Sequence, residues 1–271
     1  PVMKIAQTSG AYIIEDAAQS LGASWQGQPV GMTGDAGFYS LAVGKGLTLH
    51  EGGVLITRDT ALRQQLQTTA TEITPSKWLW ELRRSVELLG YAALYQPWGL
   101  PFAYGLPLRH ALQQGQLIKA VGDDFSDDIP LHRVGRWRKA VGANALKRLP
   151  KFLDALHLQA MQRLEKLAAI PGIKIMRDEP GGNGTWPFFM VLMPTQVARD
   201  AALRKLWGAG LGVSRLYIHA LADYSYLVDR LDKTDTPHAR DFAARMLTIS
   251  NSLWLDEVKF ERICQEISAT I

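Results

Sequence analysis

Four side chains that could do chemistry stand in order near the start of this 271-residue chain: Asp16, Gln19, Ser40 and Lys45. Asp16 follows the apolar run Tyr12-Ile13-Ile14 and Glu15, Ser40 ends the run Ala36-Gly37-Phe38-Tyr39, and Lys45 lies between Gly44 and Gly46. An amine in such a loop becomes a nucleophile when burial or neighbouring cations lower its pKa. A carboxylate beside a pyridine nitrogen keeps that nitrogen protonated and makes the ring a better electron sink. A strand-end hydroxyl can donate to a phosphate, a glutamine can reach a ring oxygen, and two glycines leave room for a bulky group. These are the services that pyridoxal 5'-phosphate asks of its protein. Each residue also has a plainer reading. Lys45 alone reads as a surface lysine, Asp16 as the cap of a helix starting at Ala17, Gln19 as an exposed helix residue, and Ser40 as an ordinary strand-end serine.

The elements that would carry these groups read as alternating α/β over residues 1–60. Val2 to Ser9 fits a short helix, Tyr12-Ile13-Ile14 a strand, Gly27 to Gly31 a turn, and Ala36 to Ser40 and Val54 to Thr57 two further strands. Asp59 is placed to cap the helix that follows. In open sheets of this kind ligands bind outside the carboxyl ends of the strands, where Asp16 and Ser40 stand.

Residues 70–130 differ. Trp78, Trp80 and Trp98 sit among leucines and tyrosines, and no charged side chain occurs from Leu88 to Leu108. The run is long enough to span a bilayer, but Pro97, Pro101 and Pro107 break a continuous helix. It reads as an apolar insertion packed on the core or on a partner subunit, or as a peripheral membrane contact through residues 86–109.

Ala140 to Ala169 carries Leu146, Leu149, Leu153, Leu156, Ala160, Leu164 and Leu167 at helical spacing, with Pro150 set to kink it or divide it in two. Beyond Pro171-Gly172, strands are expected at Ile173–Met176, Trp186–Met193 and Val213–Tyr217, with helices at Ala198–Trp207, Ala239–Met246 and Glu257–Ile271. Two domains follow: residues 1–139 as the later part of a cofactor-binding large domain with the insertion at about 70–130, and residues 140–271 as a smaller α+β domain.

Composition narrows the class. At 47% hydrophobic and 21% charged, the chain has the balance of a globular protein. The net charge of +4 is concentrated in Arg133, Arg136, Arg138, Lys139, Lys147, Arg148 and Lys151, read here as the solvated face of a helix. No zinc-finger spacing or aromatic-interleaved platform accompanies it, so nucleic acid is not an expected partner. Cys264 is the only cysteine. It allows neither an internal disulfide nor a thiolate metal site, which fits a reducing cytoplasm. An opening of Pro1-Val2-Met3-Lys4 suggests a piece of a longer chain.

The ordered set Glu15-Asp16-Ala17-Ala18-Gln19, Gly34-Asp35-Ala36-Gly37, Ser40 followed by Lys45, and Glu51-Gly52-Gly53 closely resembles the DegT/DnrJ/EryC1/StrS family of sugar aminotransferases. The resemblance is tight over residues 11–57 and looser over about 131–271. It implies the fold type I architecture of pyridoxal-phosphate enzymes, a mixed, mostly parallel sheet flanked by helices with a smaller α+β domain, here without the front of the large domain. It implies that Lys45 holds the cofactor's aldehyde and shuttles protons, Asp16 pairs with the ring nitrogen, Gln19 contacts the ring oxygen and Ser40 binds the phosphate, with no metal. It also implies a homodimer. In related dehydratases a histidine replaces the lysine, so Lys45 favours transamination.

Two departures stand out. The long stretch that family members carry before the acid-ended strand is not represented. The segment matching their cross-dimer asparagine, Ile129-Pro130-Leu131-His132-Arg133, has none. The expected activity is transfer of an amino group from glutamate or glutamine to a keto sugar, nucleotide-linked, in polysaccharide, lipopolysaccharide or secondary-metabolite biosynthesis. The rival is an inert fragment or interaction module on the same scaffold.

Overall fold

The computed structural model describes residues 2–122, 131–227 and 235–271. In chain order the first elements are α1 (Val2–Ser9), β1 (Ile14–Asp16), β2 (Ser24–Trp25), β3 (Gln28–Pro29), β4 (Ala36–Ser40), β5 (Gly53–Ile56), α2 (Thr60–Ile73) and α3 (Trp78–Leu94). A π-helical turn over Pro101–Gly105 precedes α4 (Leu106–Gln113) and α5 (Leu117–Val121). Then come α6 (Arg136–Leu146), α7 (Leu149–Ala168), β6 (Lys174–Ile175), β7 (Gly182–Asn183), β8 (Phe188–Leu192), α8 (Gln196–Leu206), β9 (Val213–Ser214), α9 (Pro237–Arg245), β10 (Met246–Ser250) and α10 (Glu257–Ser268).

Local chemistry sets many of these boundaries. Asp59 accepts from the Leu62 amide at 2.7 Å and starts α2, as expected; Thr195 and Asp256 do the same for α8 and α10. The long helix divides, because Pro150 falls in the first turn of α7, where its missing N–H costs nothing. The apolar run of residues 88–108 is likewise broken. Pro101 opens the π-helical turn and Pro107 falls in the first turn of α4. Among the described residues no helix is long and apolar enough to cross a membrane.

Three expectations need correction. The turn expected at Gly27–Gly31 is centred instead on Gln26 and Gly27. Both adopt positive φ, 49° and 76°, which closes a two-residue hairpin and lets strand resume at Gln28. The first strand lies two residues later than expected, leaving Tyr12 and Ile13 outside and taking Glu15 and Asp16 into β1. The last-but-one helix stops at Arg245, and Met246-Leu247-Thr248-Ile249 forms β10, a central strand whose partner β8 lies far back in the chain.

The described residues form two compact units. The first takes residues 2–95, 131–155 and 178–185. Its main sheet has the order β1-β4-β5, with β1 parallel and β5 antiparallel to β4. Leu41, Leu47, Leu49 and Leu88 are buried together, and Val134, Val141 and Ala145 pack against them. The second unit takes residues 96–122, 156–177, 186–227 and 235–271, around an antiparallel sheet of order β6-β8-β10-β9. Its core joins Phe189, Val191, Leu247 and Ile249 from the sheet to Ala160, Leu164 and Leu167 of α7 and Phe260, Ile263 and Ile267 of α10. Each large side chain buried there contributes about 1.5–3 kcal/mol. The buried Asn251 is satisfied by donating to the Leu156 and Trp186 carbonyls, both at 2.9 Å, and the guanidinium of buried Arg163 lies 4.6 Å from the Phe260 ring.

Cys264 packs against this core. Burial pushes its thiol up to about 11, with Lys166 opposing and Glu257 and Glu261 adding to the rise. Near pH 8 its thiolate fraction, and so its alkylation by iodoacetamide, should be a few hundredfold below that of a free cysteine of pKa about 8.5. Labelling at the free-thiol rate would contradict this burial.

Candidate active site

Strands β1 and β4 run parallel with Ile14 opposite Ala36, Glu15 opposite Gly37 and Asp16 opposite Phe38. Their carboxyl ends therefore share one edge of the sheet. Asp16 is the last residue of β1, and Ser40, two beyond Asp16's partner, is the last of β4. Because side chains alternate along a strand, Asp16, Phe38 and Ser40 project from the same face.

Asp16 is exposed, and its Oδ1 accepts the Ala18 amide at 3.0 Å. No helix follows. Ala17–Ser20 makes a turn closed by Ser20 N–H on the Ala17 carbonyl at 3.0 Å, so Asp16 caps a turn and Gln19 is exposed within it. Ser40 is half-buried, and its Oγ accepts the Ala42 amide at 3.3 Å, leaving its own hydrogen to donate.

Lys45 lies in the loop that leaves this edge after Ser40 and returns at Gly53. Its neck is closed by Leu41 N–H on the Gly52 carbonyl at 2.9 Å and Leu49 N–H on the Leu41 carbonyl at 2.8 Å. Leu41, Leu47 and Leu49 bury its floor. Lys45 is half-buried, and its ammonium has no partner among the described residues. Methyl groups added at Gly44 or Gly46 would meet nothing within 4 Å, so the space beside the amine is open. Amine, hydroxyl and carboxylate thus belong to one sheet edge and the loop springing from it, a donor set that fits an aldehyde, a phosphate and a ring nitrogen.

The other acids of the segment serve the fold. Glu15 accepts the amides of Gly31 at 2.7 Å, Thr33 at 2.5 Å and Gly34, which fastens the loop ahead of β4 to β1. Asp35 accepts the Ile13 amide at 2.7 Å. The Tyr39 hydroxyl, its pKa raised by burial and by Glu15, donates to the Val30 carbonyl at 2.6 Å. Glu51 pairs with Arg84 and accepts from Trp80 Nε1 at 3.3 Å.

One contributor escapes a reading of composition. In the basic segment expected to be a solvated helix face, Arg136, Lys139, Lys147, Arg148 and Lys151 are exposed, but Arg138 is 0% exposed. Its Nη1 donates to the Leu49 and Glu51 carbonyls at 3.2 and 2.7 Å, and its Nε and Nη2 to the two Glu81 oxygens at 3.0 and 2.5 Å. Burial works to raise the Glu81 pKa, but Arg138, the Gly135 amide and His132 outweigh it and hold the carboxyl below its ordinary range. A signal was present, since Arg138, Val141 and Ala145 fall on one face of α6 and the other two are apolar. Of the segment matching the family's asparagine, Ile129 and Pro130 lie outside the described residues. His132 is within 3.6 Å of Glu51, and Arg133 donates to the Thr71 and Thr74 carbonyls.

A sequence model of the DegT/DnrJ/EryC1/StrS aminotransferase family matches residues 1–75 and 133–268. An L-glutamine:2-deoxy-scyllo-inosose aminotransferase of Streptomyces fradiae is 41% identical over 64 residues, 24% of this chain and 15% of that protein. A UDP-N-acetyl-3-dehydro-alpha-D-glucosamine 3-aminotransferase of Acidithiobacillus ferrooxidans is 40% identical over 67 residues, 24% of this chain and 18% of that protein. Among solved structures, a DegT DnrJ EryC1 StrS aminotransferase from Brucella abortus superposes with a TM-score of 0.67 at 19% identity, covering 99% of this chain and 59% of that one. The PMP-form of a putative sugar aminotransferase from Streptococcus pneumoniae gives 0.66 at 16%, covering 96% and 59%. These likenesses carry the fold, and the chain spans well under two thirds of each protein's length.

Proposed function

The chain belongs to the DegT/DnrJ/EryC1/StrS aminotransferase family, and from that premise we propose that it carries the lysine-bearing part of a pyridoxal-phosphate site that aminates a keto sugar. The observation that carries this is the shared edge: Asp16 and Ser40 end parallel neighbouring strands on one face, and the Lys45 loop leaves the same edge. When bound, the cofactor supplies an electron sink for the bond to hydrogen at the donor's α-carbon. Lys45 Nζ would hold the cofactor's aldehyde, and its amine would be the base that takes the donor's α-proton and delivers it to the former aldehyde carbon. Asp16 would keep a proton on the ring nitrogen. Ser40 Oγ would donate to the phosphate, and Gln19 would contact the ring oxygen.

The inosose and UDP-sugar aminotransferases among the relatives support a cyclic ketone as acceptor, and the glutamine in one of their names supports glutamine, with glutamate as its close analogue, as donor. A nucleotide-linked sugar, a homodimer and a cytoplasmic setting complete the reading. The test is covalent trapping. Protein mixed with pyridoxal phosphate should develop absorbance at the visible edge, and borohydride should fix one pyridoxyl group on the Lys45 peptide. Label spread over exposed lysines such as Lys139 and Lys147, with none preferred, would favour the inert-module reading.

A further inference from the structure

We propose that Arg138 is a positioning residue for Lys45, held in place by an acid from a helix outside the family-matched stretches; the role of Lys45 rests on the function proposed above. The Lys45 loop can keep one geometry only if its return limb is fixed, and Arg138 fixes it. The guanidinium binds the Leu49 and Glu51 carbonyls, on either side of His50, while Glu81 takes its other edge in a bidentate pair. A methyl group at Gly135 would stand 2.4 Å from Glu81 Oε1, so glycine is what lets the start of α6 close on this acid.

Helix α3 grips the same limb a second time. Arg84 pairs with the Glu51 carboxylate, and its guanidinium lies 4.5 Å from the Trp80 ring centre. All of α3 falls between residues 75 and 133, the gap in the family match. A buried arginine without a counter-acid is an uncompensated charge, so Glu81 is what allows a guanidinium to sit there. The segment that the family pattern leaves unexplained thereby acquires a task, fixing the loop that carries the amine.

Two variants of the full chain separate positioning from bulk stability. Arg138→Lys keeps the charge, but one ammonium lacks the planar fork needed to serve two carbonyls and both carboxylate oxygens. The double variant Arg138→Met/Glu81→Met removes the pair without stranding a charge. In both, hydrogen exchange at the Leu41 and Leu49 amides should quicken about tenfold or more, while the amides of β8 and β10 keep their protection. Borohydride-trapped labelling of Lys45 by pyridoxal phosphate should slow by about tenfold. Unchanged exchange at Leu41 and Leu49 overturns the proposal, as does a loss of protection spread evenly over the molecule. If the unaltered protein takes no label at Lys45, the aminotransferase reading fails, and the exchange measurement still decides whether Arg138 orders the loop.

Discussion

If Lys45 has the role proposed for it, Lys45→Ala should lower amino transfer by about three orders of magnitude or more, because the change would remove both the nucleophile and the proton carrier. The Lys45 loop is open around the amine, so the truncation leaves no cavity in a packed core and the fold should survive. Lys45→Arg should fail as badly, since a guanidinium keeps the charge but cannot release a proton to become a base. Lys4, exposed on α1 and outside the loop, supplies the control, and Lys4→Ala should leave turnover unchanged. A supplied small amine should restore part of the lost rate to Lys45→Ala if the missing group is a base, and should do nothing for the arginine variant. The decisive measurement is single-turnover conversion of a keto-sugar acceptor with glutamine as donor. Retention of even a tenth of the rate by Lys45→Ala would remove Lys45 from the chemistry.

How much of this was legible in advance follows the range of the interactions. Asp59, Pro150 and the run Ala36–Ser40 act locally, and the elements they announce are where the sequence puts them. The helix expected at Ala239–Met246 takes in only the first residue of β10 and local pattern announces none of the strand, because its identity comes from pairing with β8, Met246 opposite Leu192 through Ser250 opposite Phe188. The β2–β3 hairpin was displaced for a related reason. Its third strand, β7, pairs Ser24 with Asn183, a contact that no local window contains. The stretch of residues 70–130 reads as an apolar insertion, but composition does not announce its helix α3, with Leu88 buried beside Leu41, Leu47 and Leu49.

In the site, the order of acid, hydroxyl and amine points to one sheet edge, but the division of labour among the acids depends on the fold around them. Glu15 and Asp16 are adjacent and chemically alike. One lies under three backbone amides while the other faces outward, and that difference depends on the loop of residues 31–34 lying against β1. Arg138 is the converse case, a charge that composition assigns to solvent and helical phase assigns to the interior.

Gly37→Ala should be the most damaging single methyl group that can be added to the first unit. Gly37 is the second residue of β4, opposite Glu15 on one side and Ile56 on the other. An ideal Cβ there would stand 2.0 Å from the Gly31 carbonyl oxygen and 2.8 Å from its carbon, both backbone atoms. The loop cannot easily retreat. Gly31 itself has φ +91° and lies against buried Ala17, Glu15 holds the amides on either side of the turn, and the Tyr39 hydroxyl holds Val30. Relief therefore means surrendering hydrogen bonds to a carboxylate, about 1.5–3 kcal/mol each, on top of about 1–3 kcal/mol for overpacking. The sum is a large share of a domain's net stability of about 5–15 kcal/mol. Gly44→Ala is the fair comparison, because its φ is +84° but a Cβ there meets nothing within 4 Å, so only backbone strain of about 1–2 kcal/mol is expected. Urea unfolding should thus place Gly37→Ala well below Gly44→Ala, with loss of the β1–β4 edge and of the Lys45 adduct together. If the two glycine variants unfold at the same midpoint, the clamp of Glu15 on the loop before β4 is not what holds Asp16 and Ser40 at one edge.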